Sequence, residues 1–174
     1  MDILPSFLQK TTSSNDISLL PLCKEHLSDL APSLQAQDCA EMWAAYRLPV
    51  REVLSLCYQK SAVSLAFLHQ GKVCAVAGVE AESLLGGRGC LWSWTSKKVK
   101  KIPKLFWKVS KSVLGYFLSV YPYLYVLCDE RYLQARHYIV RLGGSKLSQK
   151  INLAGKETSF ELYQFGGSNK DLKK

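Results

Sequence analysis

The residues with the clearest chemical potential in this chain are cations. Seven lysines fall within the fifteen residues Lys97-Lys98-Val99-Lys100-Lys101-Ile102-Pro103-Lys104-Leu105-Phe106-Trp107-Lys108-Val109-Ser110-Lys111. Ammonium groups at that density attract phosphate-bearing ligands, or else they form a solvated face. Trp94 and Trp107 stand close by, so a nucleic-acid interface over Lys97–Lys111 is one reading: lysines on the phosphates, indoles stacked on bases. No recognised nucleic-acid motif accompanies the run. Metal chemistry is not expected. Cys23, Cys39, Cys57, Cys74, Cys90 and Cys128 include no C-x-x-C pair and no histidine at ligand spacing. Cys57, Cys74, Cys90 and Cys128 sit in apolar runs, as reduced core thiols do. His69 and His137 stand alone and read as packing or surface residues.

The rest of the chain bounds what can surround those lysines. A length of 174 residues suits one domain. With 48% apolar residues the chain can bury a core, which excludes global disorder. Residues 1–96 carry a charge of about −2 and residues 97–174 about +11, so the basic excess belongs wholly to the second half. No run approaches the ~18 apolar residues that span a bilayer. Met1–Pro5 has neither a basic region nor a long apolar core. The expectation is a protein that is neither secreted nor transmembrane, with no membrane partner.

Periodicity supplies the elements. Residues 1–16 form an N-terminal extension ending in a polar loop, and Ile17–Leu22 reads as a strand. Residues 24–31, 36–46 and 50–59 read as helices. In the second, Cys39, Met42, Trp43 and Tyr46 make one apolar face, with Asp38 and Glu41 beside it. Three strands follow in a meander: 62–69, 73–81 and 90–95, with turns at Gln70-Gly71-Lys72 and at Leu84–Gly89. The lysine-rich loop leads to Pro103, which suits the first position of a helix. That helix turns Phe106, Val109, Val113 and Phe117 to one side and Lys104, Lys108 and Lys111 to the other. A strand at 123–128, an N-cap at Asp129, a helix at 130–142 closed by Gly143, and strands at 145–153 and 158–165 around Ala154-Gly155-Lys156 complete the order. Residues 166–174 read as a flexible basic tail. The fold class is therefore α/β with a mixed sheet: an antiparallel meander, then a strand–helix–strand crossover, with helices on both faces.

This order over residues 17–165 resembles the Gcn5-related N-acetyltransferase (GNAT) fold. Gly71-Lys72-Val73-Cys74-Ala75-Val76-Ala77-Gly78-Val79 is similar to the family's second hairpin. Ala135-Arg136-His137-Tyr138-Ile139-Val140-Arg141-Leu142-Gly143-Gly144 resembles its late helix ending in Leu-Gly-Phe, with Gly144 where the family has Phe. Leu34–Trp43, Gly78-Val79, Leu91–Thr95 and the helix around Phe106 and Ser110 also look like GNAT-like proteins of tailed phages, including internal virion proteins of T7-like podophages. That narrower resemblance implies a place in the host cytoplasm or the virion, with other virion proteins as partners.

The resemblance implies acetyl-CoA as ligand and assigns the site. The family holds the cofactor's pyrophosphate on backbone amides of a glycine-rich loop at a helix N-terminus. The corresponding segment here, Lys97–Lys104, contains no glycine. Lys97, Lys98, Lys100 and Lys101 would then neutralise the phosphates as point charges, while Trp94 and Thr95 would present strand amides to the pantetheine. The family's frequent general-acid Tyr falls at Ile139, one place from Tyr138; its Asn falls at Tyr132. Glu80, on a strand where some members keep a base, could relay a proton. Three functions remain open: an acyl-CoA-dependent N-acyltransferase, a non-catalytic virion or assembly protein on the same fold, and a basic nucleic-acid-binding module.

Overall fold

In the computed structural model, residues 16–82, 87–153 and 158–167 are described. Residues 1–15 of the N-terminal extension, residues 84–86 of the Leu84–Gly89 turn, the Ala154-Gly155-Lys156 turn and the basic tail beyond Gly167 lie outside them. Seven strands form one sheet: β1 (Ile17–Pro21), β2 (Val63–His69), β3 (Lys72–Ala81), β4 (Arg88–Thr95), β5 (Tyr123–Asp129), β6 (Ser145–Asn152) and β7 (Ser159–Gly166). Their spatial order is β1-β2-β3-β4-β5-β7-β6, and every neighbouring pair is antiparallel except β4–β5, which is parallel. Parallel neighbours need a long connection. Here it is a helix, α4 (Pro103–Val120), preceded by a 3-10 turn over Lys97–Lys101.

Each face of the sheet has its own core. On one, α1 (Lys24–Leu30), α2 (Ala36–Tyr46) and α3 (Val50–Lys60) bury Leu27, Leu30, Met42, Val53 and Leu54 against Ala66, Val76, Trp92 and Trp94. On the other, α4 packs Val109, Val113 and Phe117 over Leu65, Phe67, Leu124 and Phe165. Helix α5 (Leu133–Arg141) lies on this second face but has no fully buried residue, so the space beneath it is not filled as a core is.

Several expectations shift. The lysine segment is a 3-10 turn rather than a loop, because Ser96 Oγ accepts the Lys98 N–H at 3.1 Å and caps it. Asp129 does not cap the late helix. Its carboxylate is taken by the Arg131 N–H and guanidinium at 2.6–3.2 Å, so the chain turns once more and the helix starts after Tyr132. Gly143, at φ +102°, ends that helix as expected. The buried edge of α2 is rotated from the apolar stripe. Trp43 is 54% exposed, under the Arg47 guanidinium, whereas Asp38 is only 3% exposed.

Gly78 on β3 leaves room for the ring of Trp92, its cross-strand partner on β4, and for Ser61 at the end of α3. A Cβ there would lie 2.7 Å from the Trp92 ring and 2.8 Å from Ser61 Oγ, the hydroxyl that accepts the Trp92 indole N–H. Gly78→Ala should therefore lower stability by about 1–3 kcal/mol, read as a lower urea midpoint with an unchanged slope.

Candidate functional site

The site begins where pairing in the sheet stops. Strands β4 and β5 are matched over only three positions: Arg88 with Tyr123, Gly89 with Leu124 and Cys90 with Tyr125. Beyond Cys90 each strand continues without the other. On β4, the bonds from Ser96 N–H to Cys74 O and from Glu82 N–H to Arg88 O set the even-numbered residues against β3. The backbone groups of Leu91, Ser93 and Thr95 therefore face β5. On β5, the bonds from Tyr123 N–H to Gly87 O and from Glu130 N–H to Ser159 O set the even residues against β7, so Leu127 and Asp129 face β4. A gap opens between these two rows.

A cavity of about 420 Å³ passes through the gap. On the α4/α5 side its walls include Leu91, Ser93, Phe106, Ser110, Tyr138 and Ile139; on the α2 side they include Asp38, Glu41, Tyr46, Trp94, Cys128 and Tyr132. That volume lies in the range of small-molecule sites, about 300–1,000 Å³. Lys100 and Pro103 also line it, at the start of α4. Pro103 lacks an N–H, and the first helical bond of α4 runs from Phe106 N–H to Ile102 O. Lys104 and Leu105 thus turn amides outward at the positive end of the helix dipole. Lys97, Lys98, Lys100, Lys101 and Lys104 are all exposed around that end. Of the expected cations, Lys100 lines the cavity, and the others are exposed on the same turn and the helix start that follows it.

The other side of the gap is anionic. Asp38 Oδ2 accepts the Thr95 N–H at 2.7 Å and the Thr95 hydroxyl at 2.8 Å, and Oδ1 accepts the Tyr132 hydroxyl at 2.8 Å. Glu41, one turn along α2, accepts the Asp129 N–H at 2.7 Å. Burial pushes the Asp38 carboxyl upward against these donors. Burial, with Asp38 and Asp129 nearby, pushes Glu41 up to about 7 despite its backbone bond. The same setting raises Tyr132, which stays a neutral donor to Asp38.

The sequence-based residues meet this geometry unevenly. The Thr95 N–H is already bound by Asp38 and its carbonyl by the Gln35 N–H at 3.1 Å, while Trp94 pairs with Val76 in the β3–β4 ladder. The strand groups left open to the gap are the Leu91 carbonyl and both backbone groups of Ser93, since the last matched pair uses the Leu91 N–H. Tyr138 does reach the cavity: its hydroxyl donates to Ser110 Oγ at 2.8 Å, and its ring stacks on Phe106 at 5.5 Å. Burial raises its hydroxyl. Glu80 lies away from this cavity, 3.5 Å from Lys60 Nζ, in the wall of a smaller one of about 250 Å³. Trp94 is buried and offers no face for stacking on a base. Asp38, Glu41 and Tyr132 were not assigned from the sequence. The available signal was two carboxyls at i and i+3 beside an apolar stripe.

By sequence the chain matches no family model and no curated protein. By structure it is similar to a GNAT-family protein from Chromobacterium violaceum, at 12% identity and a TM-score of 0.67, over 88% of this chain and 89% of that one. It is also similar to the microcin C7 self-immunity acetyltransferase MccE, solved with acetyl-CoA and AMP, at 13% identity and TM-score 0.65 over 88% and 94%. A third similar structure is the ribosomal-protein α-N-acetyltransferase RimL with coenzyme A, at 12% identity and TM-score 0.63 over 87% and 94%. At these identities the likeness is one of fold. The chain has the GNAT fold, as the order of its elements led one to expect.

Glu41 makes stability depend on pH. Its folded pKa is raised from 4.5 to about 7, so between those values the folded state holds a proton that the unfolded chain has lost. Stability from this group is complete below about 4.5 and falls as pH rises through about 7. Glu41→Gln keeps the acceptor for Asp129 N–H and removes the ionisation. The variant should be the more stable protein above about pH 7, by of order 1–3 kcal/mol, with the difference vanishing in acid; thermal melts across pH measure it.

Proposed function

We propose that this chain is an acyl-CoA-dependent N-acyltransferase whose donor site is the gap between β4 and β5. The observation that carries the reading is the parallel pair that separates after three matched positions, with Lys100 of the lysine-rich turn lining the resulting cavity. A phosphate-bearing head and a slender amide-containing arm are the ligand features that such a site complements. Lys97, Lys98, Lys100 and Lys101 supply positive charge for the phosphates, aided by the outward amides of Lys104 and Leu105. The backbone groups of Ser93 and the Leu91 carbonyl, rather than the groups of Trp94 and Thr95, would pair with the arm's amides as a neighbouring strand would. Tyr138, in the cavity wall, is the hydroxyl available to protonate a departing thiolate, with Ser110 behind it. The two structures solved with acetyl-CoA or coenzyme A give the same fold a precedent for that ligand.

Calorimetric titration with acetyl-CoA tests the reading. Binding in the range of about 1 μM to 1 mM is expected. Replacing Lys97, Lys98, Lys100 and Lys101 together by Ala should weaken it at least tenfold, with a flatter salt dependence. No heat at millimolar ligand would instead favour a non-catalytic role on the same scaffold, such as a virion or assembly protein if the source is a phage.

A further inference from the structure

We infer that Glu41 is the proton acceptor for an amine arriving as its ammonium ion, and that Asp38 is a positioning residue that holds the far end of the gap open. The inference rests on the donor-site reading above. Two strands that run side by side with unpaired backbone groups close on each other unless those groups are satisfied elsewhere. In this chain the groups at the far end of both rows are taken by the segment leading into α2 and by α2 itself. Gln35 N–H donates to Thr95 O at 3.1 Å, Asp38 accepts from Thr95, and Glu41 accepts from Asp129 N–H. Leu34 continues this in an antiparallel bridge to Ser96. The helix thus stands between β4 and β5 as a wedge, and the two carboxylates are its contacts with the two strands.

The two carboxylates differ in what they have left to do. Asp38 engages three donors with its two oxygens and is 3% exposed, which fits it to hold position. Glu41 accepts one backbone N–H and the Cys128 thiol, and it is among the residues lining the cavity. The groups facing it are Asp38 from its own helix, Cys128 and Asp129 from β5, and Tyr132 from the turn before α5. Lys100, on the turn that follows Thr95, acts on Asp38, whereas among the described residues no cation acts on Glu41, so Glu41 is the carboxyl of the pair left complementary to an added cation. The earlier choices fit less well, since Glu80 is paired with Lys60 outside the cavity and Tyr138 lies on the α4/α5 side.

In the step assigned to it, Glu41 takes one proton from the ammonium. The freed nitrogen lone pair forms the C–N bond to the thioester carbonyl carbon, and the C–S bond breaks. The nitrogen loses a second proton, the sulfur gains one, and Glu41 returns its proton to water, giving amide, thiol and one released proton.

The test measures thiol release from acetyl-CoA against pH, with L-lysine, spermidine and a peptide bearing a free α-amine as acceptors, alongside calorimetric CoA binding. The wild-type rate should rise with pH through an inflection near about 7. Glu41→Gln should bind CoA unchanged, lose about 10²–10⁴-fold in turnover and lose the inflection. Asp38→Asn should keep the inflection and raise KM for acetyl-CoA. Turnover and inflection both retained in Glu41→Gln would overturn the inference. So would a wild-type protein that binds CoA yet releases thiol no faster than buffer with every acceptor. A wild-type protein that does not bind CoA fails earlier, at the donor-site reading itself.

Discussion

The constraint on which this structure turns is the short parallel match between β4 and β5. Adjacent strands twist relative to one another, and a pair separates wherever the twist is not restrained by continued pairing. Here pairing ends at Cys90 and Tyr125, and each strand then follows its other neighbour: β4 stays with β3 through Thr95, and β5 stays with β7 through Asp129. The released backbone groups cannot be left dry and unbonded. Those at the far end are met by α2, so a helix early in the chain becomes part of a gap formed by strands some fifty to ninety residues later. Sequence-distant contacts of this kind tie the first helical layer to the site and explain why α2 buries an acidic residue where an apolar one would pack.

The two halves of the chain contribute opposite charges to the same cavity. The first half, slightly acidic overall, supplies the carboxyls of α2; the strongly basic second half supplies the lysines of the turn after Thr95, of which Lys100 lines the cavity and acts on Asp38. Burying a carboxylate is expensive unless donors surround it. Thr95, Tyr132 and Asp129 provide those donors, which is why Asp38 and Glu41 can remain in the wall at all. The lysines face the opposite condition. They lie in solvent, where each contributes little alone and their sum acts by raising the local concentration of anions.

Much of the fold was legible in the sequence because the period changes are clean. The meander, the helix after Pro103 and the Gln70-Gly71 turn, with both residues at positive φ, follow from local chemistry. The crossover then dictated the parallel pair. What local pattern did not reveal is how α2 is rotated. A helical stripe of Cys39, Met42, Trp43 and Tyr46 predicts Trp43 inside, yet Asp38 goes in and Trp43 out, because the demand comes from unpaired strand amides fifty-seven residues away. Asp129 was misassigned for a related reason: its side chain satisfies Arg131 two residues on instead of a helix end. The carboxylates at the gap were visible as residues but not as a site, since only the separation of β4 from β5 gives them something to hold.

The absence of glycine from Lys97–Lys104 has a consequence for how this cleft would fix a ligand. Backbone amides in a tight loop hold a phosphate in one place, because the donors cannot move independently. Lysine ammoniums on four-carbon stems supply charge with little geometry. Pro103 reduces the fixed donors further by removing one N–H from the first turn of α4. Position along the cleft would then come from the rigid part, namely the backbone of Ser93, the Leu91 carbonyl and the aromatic clamp of Phe106 on Tyr138. For the proposed donor, such a division, with loose charge on the turn and fixed hydrogen bonds within, would place selectivity in the sheet and leave the lysines to govern how readily the ligand arrives.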